Sequence, residues 1–144
     1  MLSNEELRIE QWEREGLLFF MDKLLKNEYQ LNMNRAHTDG KSEFVKDECG
    51  SVACLGGNMM LKHLVDTEPY TYTPLATLQM RKYVGRGGER GGMDELFWPN
   101  DWFATDWELI PSEYVGHAIN NFLNTGSPQW GMLSADYTSS RPRR

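Results

Sequence analysis

The two cysteines have the strongest intrinsic chemistry of any side chains in this sequence. Cys49 and Cys54 stand five positions apart, which is wider than the spacing of redox dithiol motifs. As zinc ligands they would supply half of a tetrahedral site, with the rest drawn from His37, His63 or His117. The spacings match no common zinc finger, and free cysteines often pack as small buried side chains. We therefore expect this pair to pack and predict no metal site.

The dipeptide Gly50-Ser51 stands where a helix is predicted to begin. A glycine followed by a hydroxyl residue leaves N–H and O–H donors at the positive end of the helix dipole. Phosphate or carboxylate is stabilised there. The alternative is an ordinary N-cap, which contributes about 1 kcal/mol.

A basic, glycine-rich segment forms a second candidate anion site. Residues 85–92 contain five glycines in eight positions, which predicts a loop. Arg86 and Arg90 lie in this loop, and Arg81 and Lys82 precede it. Arginines on such a loop can close over an anion and hold it with paired N–H donors. A solvated linker and a protein-binding surface are the alternatives.

Three tryptophans follow the loop, at positions 98, 102 and 107. An indole face can stack on a nucleobase, as in proteins that bind single-stranded nucleic acid. Tryptophan also fills the cores of small helical proteins, and we expect that role for at least two of the three.

Helical periodicity organises the elements that position these residues. Ser3 and Glu6 have capping-box spacing and open a long helical pattern, which Gly16 would bend or split. Further helices are predicted over roughly 51–65 and 74–84, with short strands near residues 70–72 as an open alternative. A last helix is predicted with Pro111 at its start and Gly126 past its end. The predicted fold is mainly α, a compact single-domain bundle of about four helices with long loops. It covers residues 1–132, and residues 133–144 are predicted to be a disordered tail.

The segment from Cys49 to Gly57 resembles the helix start of a loose group of small bacterial and phage proteins. Its motif there is Cys-Gly-Ser/Thr-x-x-Cys. A second motif of the group, Leu-Phe-x-Pro-x-x-Trp, matches the residues from Leu96 to Trp102. The resemblance extends from about residue 16 to residue 130. The resemblance implies a prokaryotic or viral origin and does not indicate a mechanism.

Composition limits the classes of partner and the location of the protein. The formal net charge of −6 disfavours bulk nucleic acid and anionic membranes as partners. The sequence has no apolar run long enough to span a bilayer, and its acidic N-terminus lacks the pattern of a signal peptide. Two cysteines do not make a secreted disulfide scaffold. We expect a cytoplasmic protein, located in the host cytoplasm if the source is viral.

These observations predict a non-catalytic protein that binds a small anionic ligand such as a nucleotide or a cyclic nucleotide signal. In a phage it would sequester such a signal against antiviral defence. No cofactor and no catalytic residue are predicted, because no triad or phosphate-binding Gly-Lys-Ser/Thr loop is present. The predicted ligand-binding residues are Gly50, Ser51, Arg86, Arg90, Trp98 and Trp102.

Two alternatives stay open. One is a protein-interaction module that inhibits a host protein through its acidic surface and exposed aromatic side chains. The other is a metal-dependent hydrolase that uses Cys49, Cys54 and a histidine. Helices rich in methionine and tryptophan would also serve a homo-oligomer.

Overall fold

The computed structural model describes residues 1–28, 55, 59, 62, 63 and 92–140, and most of these residues are helical. Leu55, Met59, Lys62 and His63 are all helical. The five helices with defined bounds are α1 (Asn4–Leu7), α2 (Gln11–Leu25), α3 (Gly92–Phe97), α4 (Ser112–Thr125) and α5 (Trp130–Ser140). No strand occurs among the described residues, so the predicted mainly α class is confirmed. None of the helices in this part of the chain is long and apolar enough to cross a membrane.

The N-terminal helix begins with the predicted capping box. The Glu6 N–H donates to Ser3 Oγ over 3.1 Å, and the Ser3 N–H donates back to Glu6 Oε1 over 3.0 Å. The hydrogen bond from the Ser3 backbone, followed by that from its hydroxyl, lowers the pKa of Glu6 below its ordinary value. Negative charge at this helix end also interacts favourably with the helix dipole.

The helical pattern is split at Arg8 and not at Gly16. Arg8 adopts a left-handed conformation with φ of 58° and closes α1 after four residues. Leu7 and Ile9 are both buried. Residues two apart on one helix point to nearly opposite sides, so the backbone must turn between them to bury both. Gly16 lies inside α2, which continues to Leu25.

Helices α2 and α4 form the most extensive helix pair in the described part of the chain. Gly116 of α4 allows the close approach, since a Cβ atom there would stand 2.9 Å from Leu25 Cγ. Leu55 and Met59 join this core, with side chains 0% and 1% exposed. The fully buried residues of the pair itself include Leu17, Phe20 and Leu24 of α2 and Val115, Ala118 and Ile119 of α4.

The limits of α4 agree with the prediction. Pro111 occupies the N-cap position, and Gly126 ends the helix in a left-handed conformation with φ of 86°. Glycine adopts this conformation without the steric cost that a side chain would bring. The Gly126 carbonyl also lies against the start of α3. A Cβ atom added to Gly92, the first residue of α3, would overlap the Gly126 carbonyl oxygen.

The expectation of a disordered tail over 133–144 is wrong for residues 133–140. These residues belong to α5, and the predicted domain boundary at residue 132 falls inside this helix. Trp130 and Ser134 stand one helical turn apart and are both buried. Met132 and Ala135 are exposed on other sides of the helix, so its apolar residues form no single stripe that would reveal the buried face. The single-domain organisation stays a prediction.

Several predicted features lie outside the described residues. They are the helix over 74–84, the alternative strands near 70–72, residues 85–91 of the predicted loop and the last four residues, 141–144. The last residue of the predicted loop, Gly92, is described and begins α3.

Candidate interaction site

Trp102 is the centre of a buried group of aromatic rings. It is 3% exposed and stacks on Tyr137, with centroids 5.5 Å apart and an interplanar angle of 30°. Tyr114 and Trp130 meet it edge-on at 5.7 and 6.1 Å. We call these four residues the aromatic cluster. A nucleobase could stack on Trp102 only if the cluster opened, so the geometry places this residue in the core and away from any ligand surface.

Polar groups at the edge of the aromatic cluster fix its rings. The Trp130 Nε1–H donates to the Glu95 carbonyl over 2.9 Å, which ties α5 to α3. The Tyr114 hydroxyl donates to Asp136 Oδ2 over 2.9 Å. A hydrogen bond with Ser140 lowers the pKa of Tyr114, but burial and the Asp136 carboxylate outweigh it. The pKa of Tyr114 is therefore raised above its ordinary value.

Residues 98–111, which we call the connecting segment, join α3 to α4 and are held firmly to α5. The buried Ser134 Oγ accepts hydrogen bonds from the N–H groups of Phe103 and Ala104, each 2.9 Å long. A turn in which the Trp102 N–H donates to the Pro99 carbonyl precedes this anchor. The backbone around Phe103 is thus fixed on both sides.

The connecting segment displays large apolar side chains on this fixed backbone. Phe103 is 81% exposed, Leu109 is 60% exposed and Trp98 is 38% exposed. Trp98 meets the half-buried Trp107 edge-on, with centroids 6.2 Å apart. Single exposed apolar residues are common, but several large ones on one short ordered segment are typical of an interaction surface.

Acidic side chains accompany these apolar groups. All 15 lysines and arginines of the chain lie outside residues 91–140. Two of the acidic residues in this stretch, Asp101 and Asp106, alternate with the exposed apolar residues of the connecting segment. The seven acidic residues of the stretch are Asp94, Glu95, Asp101, Asp106, Glu108, Glu113 and Asp136. Such a field attracts cations and repels anions.

A cavity of about 250 Å³ opens beside Trp98. Carboxylate, carboxamide and hydroxyl groups supply acceptors around it, and two indole rings supply apolar wall. An ammonium or guanidinium group could meet both carboxylates and an aromatic face in this space. Its lining residues are Glu95, Trp98, Asn100, Asp101, Ser127, Gln129 and Trp130.

The predicted anion site is only partly placed. Gly50, Ser51, Arg86 and Arg90 lie outside the described residues, so their assignment stays a prediction. Trp98 is the predicted ligand residue that stands at the surface, and the carboxylates that share its cavity disfavour an anion there.

The cysteines proposed as metal ligands, Cys49 and Cys54, also lie outside the described residues. Of the histidines, His63 stacks on Trp12 with centroids 4.2 Å apart, and His117 is exposed on α4. Among the described residues, no three His, Cys, Asp or Glu side chains are grouped as metal ligands would be.

Sequence reasoning did not single out Phe103, Leu109 or Glu95. A signal for them was present in the sequence, because the fifty residues from 91 to 140 hold seven acidic side chains and no lysine or arginine.

No protein-family model matches the sequence, and neither a curated protein nor a solved structure matches it. The resemblance to small bacterial and phage proteins stays a prediction. The function has to be argued from the surfaces of this chain.

Proposed function

We propose that this chain is a protein-interaction module that binds a basic, partly apolar segment of another protein through the connecting segment. One observation carries the proposal. Phe103 is 81% exposed on a backbone held by Ser134, within a stretch, residues 91–140, that has seven acidic residues and no lysine or arginine. This is the combination that a partner with an apolar anchor and positive charge would complement.

The apolar part of the interface supplies affinity. Covering a phenylalanine side chain removes apolar surface from water and contributes roughly 1.5–3 kcal/mol. Phe103 is well suited to this because its neighbour Trp102 is buried and its own N–H is hydrogen-bonded to Ser134. A backbone that is already fixed loses little entropy on binding, so more of the contact energy appears as affinity.

The acidic part of the interface selects the partner. Asp101 and Asp106 flank Phe103 in the sequence and are exposed. Their field accelerates encounter with a basic partner and disfavours an acidic one. The cavity beside Trp98 offers a place for one lysine or arginine side chain of that partner. Salt weakens attraction of this kind, since the screening length is about 10 Å at 0.1 M.

Inhibition of a host protein is one use of such a module, and it remains a prediction. The nucleotide-binding prediction also remains. Of its residues, Trp98 and Trp102 lie in the connecting segment, and Trp102 is buried.

A peptide array tests the proposed function. It would contain synthetic peptides that are basic, neutral or acidic, each made with and without apolar residues. We expect the purified protein to bind peptides that are both basic and apolar, and to lose that binding as salt is raised. Phe103→Ala should abolish the signal. Met132→Ala is the matched control, because Met132 is 69% exposed on α5 outside the connecting segment.

Three results would each overturn the proposal. The first is an array with no bound peptide, and the second is a preference for acidic peptides. The third is equal binding by the Phe103→Ala and Met132→Ala variants.

A further inference from the structure

A second cavity, of about 280 Å³, lies between α2 and the helical residues Met59, Lys62 and His63. It uses no residue of the connecting segment. Its lining combines aromatic faces, two nitrogen bases, one carboxylate and a glycine. The described lining residues are Trp12, Glu15, Gly16, Phe19, Met59, Lys62 and His63.

The glycine in this cavity is not required by close packing against any described residue. Gly16 lies in the interior of α2, where glycine weakens a helix relative to alanine. Among the described residues, the nearest atom to a Cβ added there would be Met59 Cγ at 3.5 Å, which is an ordinary contact. At Gly116 the same addition would come within 2.9 Å of Leu25. Among the described residues, close helix packing thus explains Gly116 and does not explain Gly16, which lines the cavity.

The walls of the cavity combine aromatic faces with the ammonium of Lys62 and the carboxylate of Glu15. The Lys62 Nζ stands 4.7 Å from the centroid of the Phe19 ring, within the range of a cation–π interaction. The His63 ring lies against Trp12 at 4.2 Å with an interplanar angle of 20°. These side chains are half-buried, so the ammonium of Lys62 sits at the border between an apolar cavity and water.

We propose that this cavity binds a small aromatic anion. Its aromatic part would be a single ring or two fused rings, and it would carry one compact acidic group. The ring would lie among Trp12, Phe19 and Met59, and the acidic group would face Lys62. The volume is at the low end of the range for ligand pockets, so it suits a ligand smaller than a drug. Glu15 on the same wall disfavours a polyanion such as a nucleoside triphosphate.

Isothermal titration of the full chain with indole-3-acetate tests the proposal. Indole-3-acetamide keeps the ring and removes the charge, whereas acetate keeps the charge and removes the ring. We expect saturable binding of indole-3-acetate and at least about tenfold weaker binding of both controls, because each lacks one of the two interactions. Phenyl phosphate, titrated in parallel, tells whether the preferred acidic group is a carboxylate or a phosphate.

Two variants place the binding in this cavity. Lys62→Met should weaken indole-3-acetate binding at least about tenfold and leave indole-3-acetamide unchanged, since it removes the charge and keeps the length of the side chain. Gly16→Ala should weaken both by filling the space. Lys26→Met is the control, because Lys26 is an exposed lysine at the end of α2 that pairs with Asp22 and does not line the cavity.

The proposal is overturned if neither indole-3-acetate nor phenyl phosphate binds, or if acetate binds as tightly as they do. Equal loss of binding in the Lys62→Met and Lys26→Met variants would also overturn it, because it would reduce the effect to net charge.

Discussion

Trp102 and Phe103 are neighbours in the chain, yet the first is 3% exposed and the second is 81% exposed. Trp102 packs against rings of α4 and α5, whereas the Phe103 side chain projects into solvent from a backbone that Ser134 holds. The contrast separates two uses of large apolar side chains in a small helical protein. One residue stabilises the fold, and the other is displayed by that fold, so changes at the two positions should have opposite signatures.

The largest expected effect is on stability, at the buried member of the pair. Trp102→Ala should lower the free energy of unfolding by roughly 3–5 kcal/mol, because it leaves a cavity inside the aromatic cluster. Urea denaturation followed by circular dichroism measures this. A loss below about 1 kcal/mol would show that the cluster does not hold α4 and α5 together.

The second prediction concerns the anchor between the two regions. Ser134→Ala removes the acceptor for the N–H groups of Phe103 and Ala104 and should cost roughly 1–3 kcal/mol. Binding of basic peptides should weaken as well, although no displayed side chain is changed. Hydrogen exchange at the Phe103 and Ala104 amides should accelerate. If the Phe103 and Ala104 amides stay protected from exchange in the variant, Ser134 does not hold this backbone in place.

A third prediction uses the pH dependence of the aromatic cluster. The folded state raises the pKa of Tyr114 above its ordinary value of 10.0. Its contribution to stability is therefore fully present below pH 10.0 and is lost as the pH rises through the folded-state pKa. Urea denaturation across this range should show a decline that is smaller in the Tyr114→Phe variant. Identical declines in the two proteins would show that Tyr114 does not cause this loss of stability.

The smallest expected effect on stability is at Phe103. Phe103→Ala should change the free energy of unfolding by no more than about 0.5 kcal/mol, because the side chain gains little burial on folding. A larger loss in urea denaturation would mean that Phe103 packs in solution and is not displayed.

Local signals made parts of the fold predictable from sequence. Pro111 and Gly126 predict the limits of α4 because helix caps depend on a few adjacent residues. The capping box of α1 is predictable for the same reason. The break after Leu7 is not, because it arises from the need to bury both Leu7 and Ile9.

The rest of the fold depends on contacts between residues that are far apart in the sequence, and local sequence patterns do not indicate these contacts. Trp102 and Phe103 lie in a segment without helical periodicity. The residues that bury Trp102 and hold the backbone of Phe103 follow more than thirty positions later, at Tyr137 and Ser134. In α5 the apolar residues form no single stripe, so helical periodicity does not reveal the same contacts. The candidate site was therefore predictable only as an excess of acidic charge over residues 91–140, and its displayed side chains required the structure.

The affinity of the folded Phe103→Ala variant for a basic, apolar peptide tests the central claim most directly. The peptide would be one that the unchanged protein binds, and the unfolding transition would be recorded on the same sample. We predict an unaltered transition together with loss of binding. Retained affinity would contradict the claim that Phe103 anchors a partner, and it would remove the proposed interaction site from the connecting segment.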